Sequence, residues 1–357
     1  MKVAFVYPIP FGEGGVFGGG ERYVTELAAT MSTLVETVLV MAGPTRKTEH
    51  RHGLRIETHP WITLVRGRRQ NPLLLGFLGS LLGSDVVHCL TYHTLLTDIS
   101  VLVGRLAGKR VFITDVGGGA DITLARWLNI AALSHALLLL SEFAGQSFPG
   151  VRPPRRVLYG GVDVGRFAPA AQPREPKVAY VGRILPHKGI NYLIDAVDTA
   201  TPLIIAGRVY HQPYFDHLRR LAAGKNVTFI THATDADVIG LYRTSAAVVL
   251  PSVYRDCYGT INRVPELLGL SLLEAMSCGT PVICTDVGGM PEIVQDGQDG
   301  FVVPPNDSGA LRDRIDRLIN DPARVRDMGI QARASVLERF TWSRVADRCL
   351  ETYRHVA

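Results

Sequence analysis

The sequence is poor in cysteine, in basic clusters and in long apolar runs, and each shortage excludes a class of protein. Its five cysteines are scattered, without CxxC pairs or histidines at zinc-finger spacing, which indicates reduced residues rather than a disulfide or zinc framework. The most hydrophobic stretch, residues 127–141, is shorter than the ~20 residues of a spanning helix, so no transmembrane segment is predicted. A net charge of +5 without a long Lys/Arg block predicts no nucleic-acid partner.

The N-terminal sequence also lacks the apolar segment and cleavage site of a signal peptide, which predicts a cytoplasmic location. One local feature suggests peripheral contact with the inner face of an anionic membrane. Arg66, Arg68 and Arg69 precede the apolar residues 72–78, a pattern typical of surfaces that rest on anionic lipid. The alternative interpretation is a solvated turn followed by a buried helix.

Short apolar runs rich in β-formers alternate with helical patterns along the chain. They include residues 3–7, 37–41, 85–90, 110–114 and 136–140, and then 178–181, 203–206, 227–230, 247–250 and 282–285. In a chain of 357 residues this alternation predicts two doubly wound Rossmann-like domains with parallel sheets. We place the domains at residues 1–170 and 171–340, because residues 168–176 are rich in proline, with a helical tail at 341–357.

A glycine-rich loop, residues 12–20, lies between the first strand and the first helix. Glycine lets backbone N–H groups approach an anion at a helix N-terminus, so a phosphate or carboxylate is the expected ligand. Glu21-Arg22 follows where a Walker loop needs Lys-Ser/Thr, and Phe17 stands where a dinucleotide fingerprint needs glycine. A flexible turn is the alternative interpretation.

The second half carries charged residues in two patterns. Arg183 and Lys188, five residues apart around a turn, are spaced to clamp a diphosphate from two sides, the alternative being two exposed surface cations. Glu266 and Glu274 lie eight apart, with a helix predicted to begin near Ser271 and to hold Glu274 in its first turn. Carboxylates suit sugar hydroxyls because each accepts two hydrogen bonds, although solvated charges are the usual explanation of such spacing.

Other polar residues fit structural interpretations better. Asp235 and Asp237 resemble a metal-binding DxD, but they precede a helical stretch and indicate an N-cap, so no metal site is predicted. His88 and His93 follow a strand end that is expected to face the ligand. Contact with acceptor or sugar and an internal packing role both stay open for them.

Six ordered motifs together resemble glycosyltransferase family 4, the retaining GT-B enzymes. They are Gly18-Gly19-x-Glu21-Arg22, Gly161-Val162-Asp163 with Phe167, Val181-Gly182-Arg183 with Lys188-Gly189, Ile205-Ala206-Gly207, the E-x7-E region from Glu266 through Val294, and Phe340-Thr341-Trp342 through Tyr353. The resemblance covers nearly the whole chain. It implies an acceptor-binding domain and a nucleotide-sugar-binding domain that face a cleft, with the closing helix crossing back to the N-terminal domain.

The resemblance also implies roles for the phosphate and ribose side of a donor site. Arg183 and Lys188 would hold the donor diphosphate, and the backbone amide of Gly19 would reach the phosphate from the other domain. Glu274 would bind the ribose of the nucleotide.

For the sugar and base, the resemblance implies a second set. Glu266 would contact the hydroxyls of the transferred sugar, helped by the backbone amides near Gly269 and Leu270. Gly207 and Arg208 follow a strand end where the family receives the base.

The sequence departs from the family pattern at three places. Leu267-Leu268 replaces the usual Gly-Phe, and residues 253–265 form a longer insert than expected. Asp115 stands where many relatives have histidine after a strand, which makes it a candidate for that catalytic position.

The resemblance implies an enzyme that moves a hexose-type sugar from a nucleotide-diphosphate sugar to a hydroxyl of a glycan, glycolipid or small molecule. UDP and GDP are the expected nucleotides, with no cofactor and no metal, and the donor's anomeric configuration is retained by front-face substitution. Two alternatives stay open: a sugar-nucleotide epimerase or phosphorylase of the same fold, and a non-catalytic subunit that binds nucleotide sugars.

Overall fold

The computed structural model describes residues 1–9, 18–51, 53–69, 71–117 and 128–356. The chain divides into two compact units. The first consists of Met1–Gly161 together with Trp342–Ala357, and the second consists of Val162–Thr341.

The described residues contain strands and helices in alternation. The strands are β1 (Lys2–Tyr7), β2 (Glu36–Gly43), β3 (Lys47–Arg51), β4 (Leu54–Pro60), β5 (Thr63–Leu64), β6 (Pro72–Leu73), β7 (Val86–Cys89), β8 (Arg110–Ile113), β9 (Ala136–Leu139), β10 (Arg155–Val157), β11 (Glu175–Val181), β12 (Leu203–Ala206), β13 (Val227–Ile230), β14 (Ser245–Leu250), β15 (Val282–Thr285) and β16 (Gly300–Val303). The helices are α1 (Gly19–Ser32), α2 (Leu78–Leu82), α3 (Leu95–Leu106), α4 (Ile190–Ala196), α5 (Gln212–Leu221), α6 (Asp235–Thr244), α7 (Leu270–Ser277), α8 (Ser308–Ile319), α9 (Pro322–Arg339) and α10 (Trp342–His355).

The first unit is built on a sheet in the order β10-β9-β8-β7-β1-β2-β4-β3. All neighbouring strands are parallel except the edge pair β3 and β4. The central strands are continuous apolar runs because helices cover both faces of a parallel sheet, and residues 3–7 of β1 are all buried.

The second unit is built on a wholly parallel sheet in the order β13-β12-β11-β14-β15-β16. Strand order reverses between β11 and β14, so ligands of such sheets bind near the carboxyl ends of these two strands. The two units confirm the predicted α/β class with two Rossmann-like domains.

The C-terminal helix α10 belongs to the first unit. The ring of Trp342 lies 5.3 Å from that of Tyr23 on α1, and Tyr353 OH lies 2.6 Å from His88 Nδ1. The other ring nitrogen of His88 lies 2.7 Å from Thr114 Oγ1, and the histidine is fully buried. His88 therefore has an internal packing role.

The second unit begins at Val162, upstream of the predicted boundary at residue 170. Val162 N donates to the carbonyl oxygen of Phe340 at 2.9 Å, and Ser277 Oγ donates to that of Phe167 at 2.6 Å. These bonds attach residues 162–170 to the helices of the second unit, so the proline-rich segment lies inside a unit.

The basic cluster lies on a turn between the short paired strands β5 and β6. Arg66, Arg68 and Arg69 are exposed, as a solvated turn requires. Residues 72–78 are not the predicted helix, because Pro72 and Leu73 form β6 and α2 begins only at Leu78. None of the described helices is long and apolar enough to cross a bilayer.

Candidate active site

A buried ion pair lies at the carboxyl edge of the second unit's sheet. Lys188 Nζ donates to Glu266 Oε1, and Ser252 Oγ donates to the same oxygen at 2.7 Å. Lys188 is 7% exposed and Glu266 is 9% exposed, so neither is a solvated surface charge. Lys188 follows β11 and Ser252 follows β14, and these strands are neighbours, so the topology joins groups that are distant in sequence.

Two glycines allow close backbone approach beside this pair. Gly189 has a φ of 64°, and a Cβ there would lie 2.0 Å from the carbonyl oxygen of Pro251. Gly288 has a φ of 63°, and a Cβ there would lie 2.0 Å from the carbonyl oxygen of Glu266. Any side chain at either position would displace the backbone that holds the pair.

The electrostatics of the pair extend to two neighbouring residues. Burial raises the pKa of Glu266, but Lys188 and the Ser252 hydroxyl more than offset it, so the pKa lies below its ordinary value and the carboxylate is charged at neutral pH. Burial, and then the charge of Lys188, lowers the pKa of His187 to about 4, so its ring is uncharged at neutral pH. The charge of Glu266 acts in the opposite direction and raises the pKa of His187, and that of Arg183 lowers it further.

The helix α7 follows Glu266 and carries the second acid. Gly269, with a φ of 101°, is the residue before the helix, which therefore begins at Leu270, one residue earlier than predicted. Glu274 consequently lies in the second turn of α7. The prediction that it lies in the first turn is wrong. Its Oε2 accepts from Tyr242 OH at 3.0 Å, and Glu274 is 7% exposed. The second acid is thus a buried, oriented carboxylate.

The loops after β11 and β12 lie side by side. A Cβ on Gly207 would lie 1.7 Å from the carbonyl oxygen of Gly182, so the two backbones meet directly. Arg183 and Arg208 are both exposed, and the guanidinium of Arg183 lies 5.9 Å from the ring centre of Tyr210. The two arginines therefore flank a close backbone contact at the same sheet edge.

In the first unit, Asp115 holds backbone rather than standing free. Its Oδ1 accepts from the amides of Tyr92 at 3.3 Å and Gly117 at 3.2 Å. Burial, and then the charges of Glu21 and Asp115, raises the pKa of Tyr7. Asp115 therefore ties together the loops after β7 and β8, next to the end of β1.

Gly19 is the exposed first residue of α1. The amide of Gly18, just before it, donates to Glu21 Oε2 at 2.6 Å. The glycines at positions 12, 14 and 15 lie outside the described residues.

Asp235 and Asp237 lie in the first turn of α6, and the N-cap residue is Thr234, so the predicted N-cap is one residue too late. Asp237 Oδ2 accepts from the Thr234 amide at 2.8 Å, and Asp235 forms an ion pair with Arg166. Within the described ranges, no three His, Cys, Asp or Glu side chains are grouped to hold a metal ion. Metal independence stays a prediction.

Sequence reasoning missed several groups at this site. His187 stood between two recognised motif residues, and Ser252 ended a recognised strand, so their positions were available signals. Tyr242 on α6 had no signal, because only packing brings it to Glu274. The insert after β14 is visible in the sequence only as extra length, which gives no signal of what its residues contact.

Solved structures that share the fold of two Rossmann-like domains match nearly the whole chain. Sucrose-phosphate synthase from Thermosynechococcus elongatus has a TM-score of 0.76 and 23% identity, covering 99% of this chain and 98% of that one. The Anabaena protein HepE in complex with UDP has a TM-score of 0.78 and 19% identity, covering 99% and 100%. The fold is that of GT-B glycosyltransferases.

Sequence comparison shows which proteins the chain is similar to. Residues 163–335 match the model described as glycosyl transferases group 1. Alpha-maltose-1-phosphate synthase of Mycolicibacterium smegmatis is 29% identical over 96% of this chain and 96% of its own. The GDP-mannose-dependent alpha-(1-6)-phosphatidylinositol monomannoside mannosyltransferase of the same organism is 26% identical, covering 92% of each. These matches confirm the resemblance to the group 1 glycosyltransferases found in the motifs of the chain.

Proposed function

We propose that this glycosyltransferase moves a hexose-type sugar from a nucleotide-diphosphate sugar to a hydroxyl acceptor, retains the anomeric configuration and needs no metal. The observation that carries the proposal is the buried Lys188–Glu266 pair at the point where strand order reverses. A buried cation beside an exposed Arg183 suits a diphosphate, and a buried carboxylate suits sugar hydroxyls.

The diphosphate would lie between Arg183 and Lys188. Lys188 has three N–H donors, so a phosphate oxygen can share it with Glu266. The N-terminus of α7, behind Gly269 and Leu270, adds backbone donors and a favourable dipole for an anion.

The two acids would divide the rest of the donor between them. Glu266, held by Lys188 and Ser252, would accept hydrogen bonds from the transferred sugar. Glu274, held by Tyr242, would accept hydrogen bonds from the ribose hydroxyls. The base would lie beside Arg208, where the absence of a side chain at Gly207 lets the loops after β11 and β12 pack closely.

The chemistry requires charge stabilisation rather than an enzyme nucleophile. As the anomeric C–O bond to the diphosphate breaks, negative charge grows on the leaving oxygen, which takes the acceptor hydroxyl's proton while the acceptor oxygen bonds to the same face of the sugar. Arg183 and Lys188 would stabilise this charge without reorganisation of water. In the first unit, Asp115 would hold the loops after β7 and β8 in place for the acceptor.

UDP and GDP are the nucleotides we propose. One relative is named as GDP-mannose-dependent, and HepE has been crystallised with UDP and with UDP-glucose. The acceptor would be a glycan, glycolipid or small molecule, and the exposed Arg66, Arg68 and Arg69 would let the protein work at an anionic membrane from the cytoplasmic side.

A donor screen tests the proposal. UDP-, GDP- and ADP-sugars are compared by thermal shift, since a ligand at 100 times its dissociation constant adds about 2.7 kcal/mol of stability. The stabilising donor is then incubated without acceptor, and nucleotide release is measured. Slow hydrolysis supports a transferase, whereas binding without turnover, with or without candidate acceptors, would support a non-catalytic subunit. Conversion of the donor to its epimer would support the epimerase alternative, and phosphate-dependent cleavage would support the phosphorylase.

A further inference from the structure

The insert after β14 forms an ordered hairpin, residues 254–262. The amide of Asn262 donates to the carbonyl oxygen of Tyr254 at 2.8 Å, and that of Asp256 donates to the carbonyl of Thr260 at 3.0 Å. Asp256 Oδ1 also accepts from the amides of Tyr258 and Thr260, at 2.9 and 3.0 Å. Bonds across both the stem and the tip fix the position of Tyr258.

The stem of the hairpin is attached beside the Lys188–Glu266 pair. The amide of Val253 donates to the carbonyl oxygen of His187 at 2.9 Å. Tyr254 OH accepts from the amide of Gly288 at 2.9 Å, and the next amide, that of Gly289, donates to the carbonyl of Glu266 at 3.2 Å. The hairpin therefore starts from the sugar side of the proposed donor site.

The tip of the hairpin reaches the other side of that site. The Tyr258 ring lies 5.8 Å from the ring of His211 and 6.4 Å from that of Tyr214, both at the start of α5. His211 is itself fixed, because its Nδ1 accepts from the Tyr214 amide at 3.1 Å. Tyr210, whose ring lies under Arg183, directly precedes His211. Tyr258 and Tyr210 stay 52% and 57% exposed, so each ring keeps a free face.

We propose that the 254–262 hairpin is the side wall of the nucleoside subsite and that Tyr258 packs against the base of the donor. This inference rests on the proposed function and adds the element that selects the nucleotide. A nucleotide base binds more tightly when it packs on an aromatic ring that is already held in place, because little side-chain entropy is lost on binding. The guanidinium of Arg183, which lies above the ring of Tyr210, provides a cation for the diphosphate next to this proposed nucleoside subsite.

The test compares ligands with and without a base. Binding of UDP, GDP, ADP and inorganic pyrophosphate is titrated on the wild-type protein, Tyr258→Ala, Tyr258→Phe and the off-site control Ile330→Ala on the exposed side of α9. Tyr258→Ala should weaken the best nucleotide at least fivefold and narrow the preference among the three bases, with pyrophosphate affinity changed less than twofold. Tyr258→Phe should recover most of the nucleotide affinity. Donor KM should rise in Tyr258→Ala while kcat at saturating donor stays within twofold.

Three results would overturn the inference. Unchanged nucleotide affinity in Tyr258→Ala would show that the hairpin is no wall of the subsite, and an equal loss for pyrophosphate would show a general disturbance of the site. A rise in acceptor KM alone would assign the hairpin to the acceptor. Failure of the wild-type protein to bind any of the nucleotides would instead contradict the proposed function itself.

Discussion

Replacing Lys188 by methionine removes the cation that donates to Glu266, while keeping a side chain of similar length. In the wild-type protein the pKa of Glu266 is held below its ordinary value. The charged carboxylate therefore stabilises the folded protein at pH values above the pKa of Glu266 in the unfolded chain. This stabilisation is lost as the pH falls through the pKa of Glu266 in the folded protein. Without the cation, burial dominates and the folded pKa rises above the unfolded value. The sign of the dependence then reverses.

The magnitude follows from the burial of the pair. Leaving one partner of a buried ion pair uncompensated costs about 3–5 kcal/mol, and Ser252 alone does not neutralise Glu266. Lys188→Met should therefore lose most stability near pH 8 and less near pH 5, where protonation of the acid relieves the charge. The double variant Lys188→Met/Glu266→Gln should recover stability at pH 8 without recovering activity. Turnover of both should fall at least tenfold, about 1.4 kcal/mol of barrier.

Chemical unfolding at several pH values and steady-state kinetics measure these effects together. Lys47→Met is the matched control, because Lys47 is 61% exposed and pairs with Glu49 at the surface, where such pairs contribute about 0–1 kcal/mol. Equal stability of Lys188→Met and wild type from pH 5 to 8 would refute the buried-pair reasoning. Normal turnover at saturating donor would refute the diphosphate assignment.

Three further predictions concern the acids, metal and acid stability. Glu274→Gln should mainly weaken donor binding, since ribose is unchanged in the reaction, whereas Glu266→Gln should mainly lower kcat. Steady-state kinetics and a donor-binding titration on both variants check this. The reverse pattern would show that the roles of the two acids are exchanged. EDTA should leave transfer nearly intact, and activity restored only by Mn²⁺ or Mg²⁺ would contradict metal independence. Burial lowers the pKa of His88 to about 3, so stability should fall by up to about 1.4 kcal/mol per pH unit from this group as pH drops from 6.5 towards 3. His88→Gln should unfold with a shallower pH slope, and an identical slope would show that His88 is not held neutral.

The sequence predicted most central strands of the two parallel sheets, because such strands are continuous apolar runs. It missed four strands at or next to the sheet edges, namely Lys47–Arg51, Leu54–Pro60, Arg155–Val157 and Gly300–Val303. Lys47–Arg51 is largely exposed and polar and so lacks the apolar pattern. The candidate site was predicted as separate motifs. That Lys188 pairs with Glu266, and that Tyr242 orients Glu274, depends on strand order and helix packing, which local spacing does not encode. The insert was visible as extra length, but its contact with His211 depends on where the folded hairpin ends.

We propose that the Lys188–Glu266 site performs sugar transfer from a nucleotide-diphosphate sugar with retention. The test is NMR of the product that the wild-type protein forms from the donor that stabilises the protein, with Lys188→Met assayed in parallel. The spectra are recorded before the anomers of any released free sugar equilibrate. We expect release of the nucleoside diphosphate and a product with the donor's anomeric configuration, and we expect Lys188→Met to lose both. An inverted product, or undiminished transfer by Lys188→Met, would contradict it.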